Sequence, residues 1–304
     1  MSRILVIGDL LVDQYVFYKK ERTDPANDKV PVISVINSVG YPGGAGNLVR
    51  TIKGLGKEDV EFSYLEQKPP LKIRNYIDGI YTFRQDINDK YEHDDVFIKK
   101  VINSIQPNDF VIISDYHKGT FNYKDIEKII KRCNELGNVK TFIDTNFVEP
   151  EHSNATWLKI NLHTARKTLS EIKSDAAKKL SEKYNCNAII TRGEEGFIAH
   201  SKDEDLTFFY TKNKNKTYID AIGAGDSFLA GFVKSLFDEK SLLDSLIMAD
   251  VVAHLSTKIL GTTDVVLKEK SDNLFDNIKK EFFDNEEQSK RIKYIHCTFD
   301  NVQG

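Results

Sequence analysis

The chain has 304 residues, of which 40% are hydrophobic and 29% are charged, and its formal net charge is −3. Interspersed lysines and acids argue against nucleic acid or a membrane surface as the main partner, and the composition suits one large or two small soluble domains. Three scattered cysteines fit no disulfide framework, and neither a membrane span of about 20 apolar residues nor a signal peptide is recognisable, so we expect a cytoplasmic protein with reduced thiols.

The first predicted strand covers residues 3–8, "RILVIG", an apolar β-branched run of the kind found in buried parallel strands. Asp9 follows at its carboxyl end. Residues 15–37 then combine strand-like patches with turn signals at Asp24-Pro25. This segment predicts a projecting β ribbon.

Strands and helices alternate along the rest of the chain. The predicted helices cover 48–55, 123–136, 170–184, 227–236 and 242–259, and the predicted strands cover 109–116, 139–146, 156–162 and 187–193. This alternation indicates a mostly parallel sheet with helices on both faces, whose ligands gather at the carboxyl ends of the strands. The polar residues that follow or end strands, and that we expect to line one crevice, are Asp9, Asp115, Asp144, Asn161 and Arg192.

The helix predicted at 227–236 begins directly after "GAGD", residues 223–226. A helix N-terminus carries free amide groups and partial positive charge, and small residues let a phosphate approach them closely. An acidic residue is also favoured at a helix start for capping alone. Taken by itself, the stretch is either an anion cradle with a carboxylate beside it or an ordinary capped helix.

Two motifs resemble the signatures of the ribokinase-like, or phosphofructokinase B, carbohydrate kinases: "PGGAGN" at 42–47 and "DAIGAGDSFLAGF" at 220–232. The resemblance extends over nearly the whole chain. It implies an α/β three-layer sandwich with a mostly parallel central sheet and a small β lid, here expected at about 11–40 with 72–87. It also implies that Gly223, Ala224 and Gly225 form an anion hole and that Asp226 is the catalytic base. Phosphoryl transfer asks for such positioning and charge stabilisation.

The same resemblance implies ATP and Mg²⁺ as cofactors, with the metal carried mainly by the ATP phosphates. The implied ATP-binding residues are Asn161, Thr191, Gly193, Gly196, Asp250, Lys258 and Gly261. A potassium ion near the carbonyl groups of Asp220 and Ile222, as in some relatives, is left open. The family's usual Asn-x-x-Glu reads Asn-Leu-His-Thr at 161–164, so the carboxylate that helps to organise magnesium is missing. A sugar- or nucleotide-binding homologue without catalysis is therefore the alternative.

Within the family, "VIGDLLVDQYVF", "DKVPVISV" and "ISDYHKGTF" are similar to the kinase domain of bacterial D-glycero-β-D-manno-heptose 7-phosphate kinases. This implies conversion of the heptose 7-phosphate to the 1,7-bisphosphate for cell-surface polysaccharide. The implied substrate-binding residues are Asp9, Asp13, Gly44 and Asn47 for the sugar, and Arg84 and Lys118 for its phosphate. "DTNFVEP" lacks the lysine that these kinases carry there, so another sugar remains open.

We expect one kinase domain over 1–285 and a tail over 286–304. The tail sequence "RIKYIHCTFDNVQG" resembles the start of a nucleotidyltransferase domain and equally suits an ordinary terminal strand. The ribbon carries apolar residues that would be exposed to solvent if its sheet stayed unpaired: Val30, Val32, Ile33 and Val35. We therefore expect a homodimer that forms through the lid.

Overall fold

The computed structural model describes residues 2–57, 59–210, 219–284 and 293–295. Its strands are β1 (Ile4–Gly8), β2 (Leu10–Asp24), β3 (Asn27–Gly44), β4 (Glu61–Ser63), β5 (Leu71–Ile77), β6 (Ile80–Ile87), β7 (Phe110–Asp115), β8 (Lys140–Thr145), β9 (Trp157–Asn161), β10 (Asn187–Thr191), β11 (Phe197–Ser201), β12 (Leu206–Tyr210) and β13 (Lys293–Ile295). Its α-helices are α1 (Ala45–Gly54), α2 (Asp95–Ser104), α3 (Tyr123–Leu136), α4 (Leu162–Thr168), α5 (Ala176–Tyr184), α6 (Ala224–Phe237), α7 (Leu242–Ser256) and α8 (Lys268–Asp284).

The central sheet runs in the order β13-β12-β11-β10-β9-β8-β7-β1-β4. Strands from β10 to β4 are parallel, whereas β11, β12 and β13 add an antiparallel edge. Alternate residues of β1 enter different cores: Ile4 and Val6 pack with α1, α6 and α7, and Leu5 and Ile7 pack with α3 and α5. A sheet covered on both faces by helices is the predicted α/β three-layer sandwich, and that prediction is confirmed.

A second sheet of order β3-β2-β5-β6 contains the segments predicted for the lid. We call it the small sheet. Strands β2 and β3 form a long hairpin, and β5 pairs with β2 in parallel. The pairs Asp13 with Lys72, and Tyr15 with Arg74, lie directly opposite each other, so these four side chains share one face. That the small sheet closes over a ligand stays a prediction.

The sequence-based boundaries need correction at several places. The helix predicted over 170–184 begins later, at Ala176, and a separate helix, α4, precedes it and was not predicted. Asn161 caps α4 by accepting a hydrogen bond from the Thr164 amide at 2.9 Å. Helix α2 and strands β4, β11 and β12 were not predicted. The predicted tail lies outside the described residues apart from β13, and so does Cys297, whereas Cys133 and Cys186 are buried free thiols. Among the described helices, none is both long and apolar enough to cross a bilayer.

Candidate active site

A cavity of about 560 Å³ opens at the carboxyl ends of β7 to β10, beside the start of α6. Four of the five polar residues expected in one crevice line it: Asp115, Asp144, Asn161 and Arg192. The fifth, Asp9, does not. The parallel strands therefore gather these side chains as the alternating pattern predicted.

Asp226 lies in the first turn of α6 and is only 3% exposed. Its two carboxylate oxygens accept hydrogen bonds from the Tyr116 hydroxyl and from Asn47 Nδ2, the latter at 3.0 Å. Burial, helped by the nearby charge of Asp144, raises the pKa of Asp226 to about 6. A carboxylate with this pKa is ionised near neutral pH and can accept a proton.

The turn before Asp226 leaves little room for side chains at its two glycines. Gly223 adopts a φ of +77°, and a Cβ there would lie 2.8 Å from Asn47 Nδ2. A Cβ on Gly225 would lie 3.2 Å from Lys159 Nζ, and Ala224 lines the cavity. Because a helix start also offers unpaired amides, the three residues can receive an anion, although that role stays a prediction.

Lys159 is a cation of this site that the sequence reading missed. It is 4% exposed, and its Nζ lies 2.6 Å from Asp144 Oδ2 on the neighbouring strand. A lysine inside the otherwise apolar strand "TWLKINL" is a readable signal, since buried lysines need a partner. Here it places a positive charge beside Gly225, in the first turn of α6.

The carboxylate of Asp9 is surrounded by backbone amides of the loop that follows β7. It is fully buried, and it accepts hydrogen bonds from the backbone amides of Tyr116 at 2.7 Å, Lys118 at 3.1 Å and Thr120 at 3.4 Å. Burial raises its pKa. Its carboxylate thus holds the loop at 116–120, and the sugar contact expected of Asp9 stays a prediction.

Asp13 lies on the small sheet, is 4% exposed, and accepts a hydrogen bond from Arg74 Nη2 at 2.9 Å. Gly43 and Gly44 allow the chain to pass close by: a Cβ on Gly43 would lie 2.1 Å from Asp13 Oδ2, and Gly44 has a φ of +56°. Gly44 then leads into α1, which carries Asn47 to Asp226. These three predicted substrate residues therefore lie around one end of the site.

Four cations cluster on and near the small sheet, and we call Lys72, Arg74, Arg84 and Lys118 the basic cluster. Burial lowers the pKa of Lys72, the charge of Asp13 opposes that effect, and the other three cations add to the lowering. The predicted Arg84 is half exposed, with its Nε 2.7 Å from Asp86, and the predicted Lys118 pairs with Asp89.

Lys72 and Arg74 were not predicted as site residues from the sequence. Their alternation in "LKIR" on a strand was the available signal, because alternate residues share a face. Arg74 Nε is buried without a hydrogen-bond partner among the described residues, so its guanidinium retains an unused donor.

The predicted ATP-binding residues divide into two groups. Those that line the cavity are Asn161, Thr191, Gly193, Gly196 and Asp250, whereas Lys258 and Gly261 do not. Lys258 is exposed beyond the end of α7, and Gly261 packs on the small sheet, where a Cβ would lie 1.8 Å from the Tyr15 hydroxyl. That Lys258 and Gly261 contact ATP stays a prediction. Gly261 has a second reason to be a glycine, because its φ is +54° and the Tyr15 hydroxyl lies close to it.

The cavity offers few direct ligands for a metal ion. Within the described residues, the one group of three close metal-ligating side chains is His93, Asp95 and Asp125, and none of them lines the cavity. Asp115 and Asp144 do line it, but their carboxylates contact His117 and Lys159. This donor set fits a magnesium ion that is held chiefly by phosphate oxygens and water.

The model of the pfkB family of carbohydrate kinases matches residues 76–269. Among curated proteins, the chain is 28% identical over 297 residues to the "Bifunctional protein HldE" of Vibrio vulnificus strain CMCP6, covering 86% of this chain and 61% of that protein. The protein of the same name from Campylobacter fetus subsp. fetus is 29% identical over 301 residues, covering 87% of this chain and 64% of that protein. The chain thus spans less than two thirds of these relatives.

Solved structures show the same fold. Escherichia coli phosphofructokinase-2 in complex with potassium has a TM-score of 0.73 at 13% identity, covering 92% of this chain and all of that one (100%). Arabidopsis thaliana ribokinase complexed with ribose and ATP has a TM-score of 0.66 at 14% identity, covering 90% of this chain and 98% of that one. At such low identity the likeness concerns architecture alone.

Proposed function

The chain belongs to the pfkB family of carbohydrate kinases, and on that basis we propose that it transfers the γ-phosphate of ATP to a sugar that already carries a phosphate. The proposed substrate is D-glycero-D-manno-heptose 7-phosphate, and the product is its 1,7-bisphosphate. The basic cluster beside Asp13 is the observation that carries the proposal, since a phosphorylated sugar needs cations that a free sugar does not.

In the proposed reaction Asp226 accepts the proton of the attacking sugar hydroxyl. With a pKa of about 6, Asp226 is ionised at neutral pH. This pKa is also near the working pH, which is where a general base is most effective. Lys159 and the start of α6 stabilise the charge on the transferred phosphoryl group. When bound with ATP, Mg²⁺ would supply further charge neutralisation from its place on the phosphate oxygens.

The geometry of the basic cluster favours a phosphate over a neutral hydroxyl. Lys72 is half-buried, and its pKa is lowered by burial, so a dianionic phosphate would relieve an unfavourable environment. Arg74 keeps a donor unused while it holds Asp13. Asp13 can then accept sugar hydroxyls at the junction between the phosphate-binding end and the base.

Two further proposals concern the assembly and a second cation. The small sheet exposes apolar side chains, with Val35 63%, Ile36 65% and Ile80 70% exposed, which supports a homodimer that buries this surface. Of the other ribbon residues, Val30 is exposed, whereas Val32 and Ile33 are half-buried. A potassium ion near the carbonyl groups of Asp220 and Ile222 is proposed by analogy with the potassium complex of E. coli phosphofructokinase-2.

The proposed substrate is tested by following ADP release with three acceptors at equal concentration: the heptose 7-phosphate, the same heptose without phosphate, and fructose 6-phosphate. The expected result is a kcat/KM that is highest for the heptose 7-phosphate. In Lys72→Met that value should fall about tenfold or more, the usual loss for a hydrogen bond between charged groups. Lys29→Met, an exposed lysine on the distal part of the hairpin, is the matched control and should change nothing. Preference for the unphosphorylated heptose would contradict the proposal.

A further inference from the structure

The hydroxyl of Tyr116 is hydrogen-bonded to the carboxylate of Asp226, the proposed base. It donates to Asp226 Oδ1, while Asn47 Nδ2 donates to Oδ2 at 3.0 Å. Both oxygens are therefore engaged, and the carboxylate is only 3% exposed. Each oxygen has a second lone pair, but a carboxylate this deeply buried has little room for a further donor, so we expect the sugar hydroxyl to take the place of one of the two.

Tyr116 is the donor that can move. Its side chain is half-buried and lines the cavity, so there is open space beside the ring. Its backbone is fixed, because its amide donates to the buried carboxylate of Asp9 at 2.7 Å. Asn47, by contrast, is 4% exposed within α1 and lies against Gly223. Rotation of one side chain on a fixed loop would uncover the base.

The ring of Tyr116 also contacts the basic cluster. The Lys72 ammonium lies 5.3 Å from the ring centroid, so the ring lies between a cation of the small sheet and the base Asp226. A phosphate that binds Lys72 would draw the ammonium away and remove a contact that holds the ring in place. Substrate binding and uncovering of the base are thus linked through one side chain.

We propose that Tyr116 acts as a stand-in for the sugar hydroxyl, capping Asp226 while no sugar is bound and thereby suppressing wasteful hydrolysis of ATP. The inference rests on the proposed function of Asp226 as the base. Without the cap, water would take the place of the sugar hydroxyl: its oxygen would bond to the γ-phosphorus, the bond to the ADP oxygen would break, and its proton would pass to Asp226. The products would be ADP and inorganic phosphate.

The test measures phosphate release from Mg-ATP in the absence of sugar. Tyr116→Phe removes only the capping hydroxyl and should raise hydrolysis roughly tenfold to a hundredfold, the usual weight of a hydrogen bond to a charged group. Tyr123→Phe removes an exposed tyrosine hydroxyl at the start of α3 and should leave hydrolysis unchanged. The double variant Tyr116→Phe with Asp226→Asn should lose the gain, because the released water needs the base.

Transfer to heptose 7-phosphate is measured on the same preparations, so that two failures can be told apart. If the wild type transfers no phosphate to the sugar, the proposed substrate fails, whatever the hydrolysis rates. If the wild type transfers phosphate but Tyr116→Phe hydrolyses ATP no faster than wild type, the capping role is overturned. A folded Tyr116→Phe, judged by an unchanged thermal midpoint, that loses both activities would also overturn it, since Tyr116 would then be needed for transfer itself.

Discussion

Replacing Asp226 by asparagine should weaken catalysis and strengthen the fold at the same pH. Because the pKa of Asp226 lies at about 6 rather than 3.8, holding it ionised in the folded chain costs roughly 3 kcal/mol relative to the unfolded chain. Asparagine has no charge to desolvate and can still accept from Asn47. The asparagine amide makes a weaker hydrogen bond with the Tyr116 hydroxyl than the carboxylate does. We therefore expect a net gain of about 1 to 2 kcal/mol in unfolding free energy at neutral pH.

The direction in which pH changes the stability of the fold follows from the raised pKa of Asp226. A carboxyl whose pKa is higher in the folded than in the unfolded chain binds its proton more tightly when folded, so it favours folding at low pH. That contribution is lost as the pH rises from about 4 to above 6. The stability advantage of Asp226→Asn should therefore be large at pH 7.5 and small near pH 4, as measured by urea unfolding of both proteins across this range.

The same variant should lose a factor of about 10² to 10⁴ in kcat, the usual contribution of a general base. The wild-type kcat/KM should fall below a pH of about 6, with an acid limb that follows the protonation of Asp226. A stability difference that does not change between pH 4 and 7.5, together with an acid limb far from 6, would refute the buried-base reasoning.

Other outcomes follow from the site and the small sheet. Gly225→Val should place methyl groups against Lys159 Nζ, which lies 3.2 Å from the Cβ position, and should lower ATP-dependent transfer at least about a hundredfold with an unchanged fold by circular dichroism. Arg84→Ala should raise KM for the sugar phosphate about tenfold and leave KM for ATP unchanged. A loss of ATP affinity would contradict the proposed contact between Arg84 and the sugar phosphate. Ile36→Glu should shift the protein toward monomer in light scattering, and a wild type that is already monomeric at micromolar concentration would remove the dimer proposal.

The sequence predicted the architecture because strand and helix periodicities are local. Apolar runs such as those of β1 and β7 end in polar residues, and a parallel sheet has to bring those ends to one edge. The antiparallel edge was missed because β11 and β12 follow β10 without a helical crossover to mark them. The helix expected at 170–184 covers only Ala176–Tyr184, and the short helix α4 that Asn161 caps before it was missed.

The site was less predictable than the fold, because its partners come from distant parts of the chain. A sequence shows that Asp9 follows a strand, but it does not show that the amides of residues 116–120 will surround its carboxylate. It likewise shows Lys159 as an anomaly in an apolar strand without naming Asp144 as its partner. The glycine turn before Asp226 was recognised through its resemblance to the family signature, because on its own the stretch suits an anion cradle or a capped helix.

The most direct test of the central proposal is phosphorus NMR of a reaction that contains the purified protein, Mg-ATP and D-glycero-β-D-manno-heptose 7-phosphate. The account predicts a second sugar phosphate signal, coupled to the anomeric proton, that grows as ADP forms and is absent with Asp226→Asn. An unchanged heptose 7-phosphate beside efficient phosphorylation of a phosphate-free sugar would contradict it.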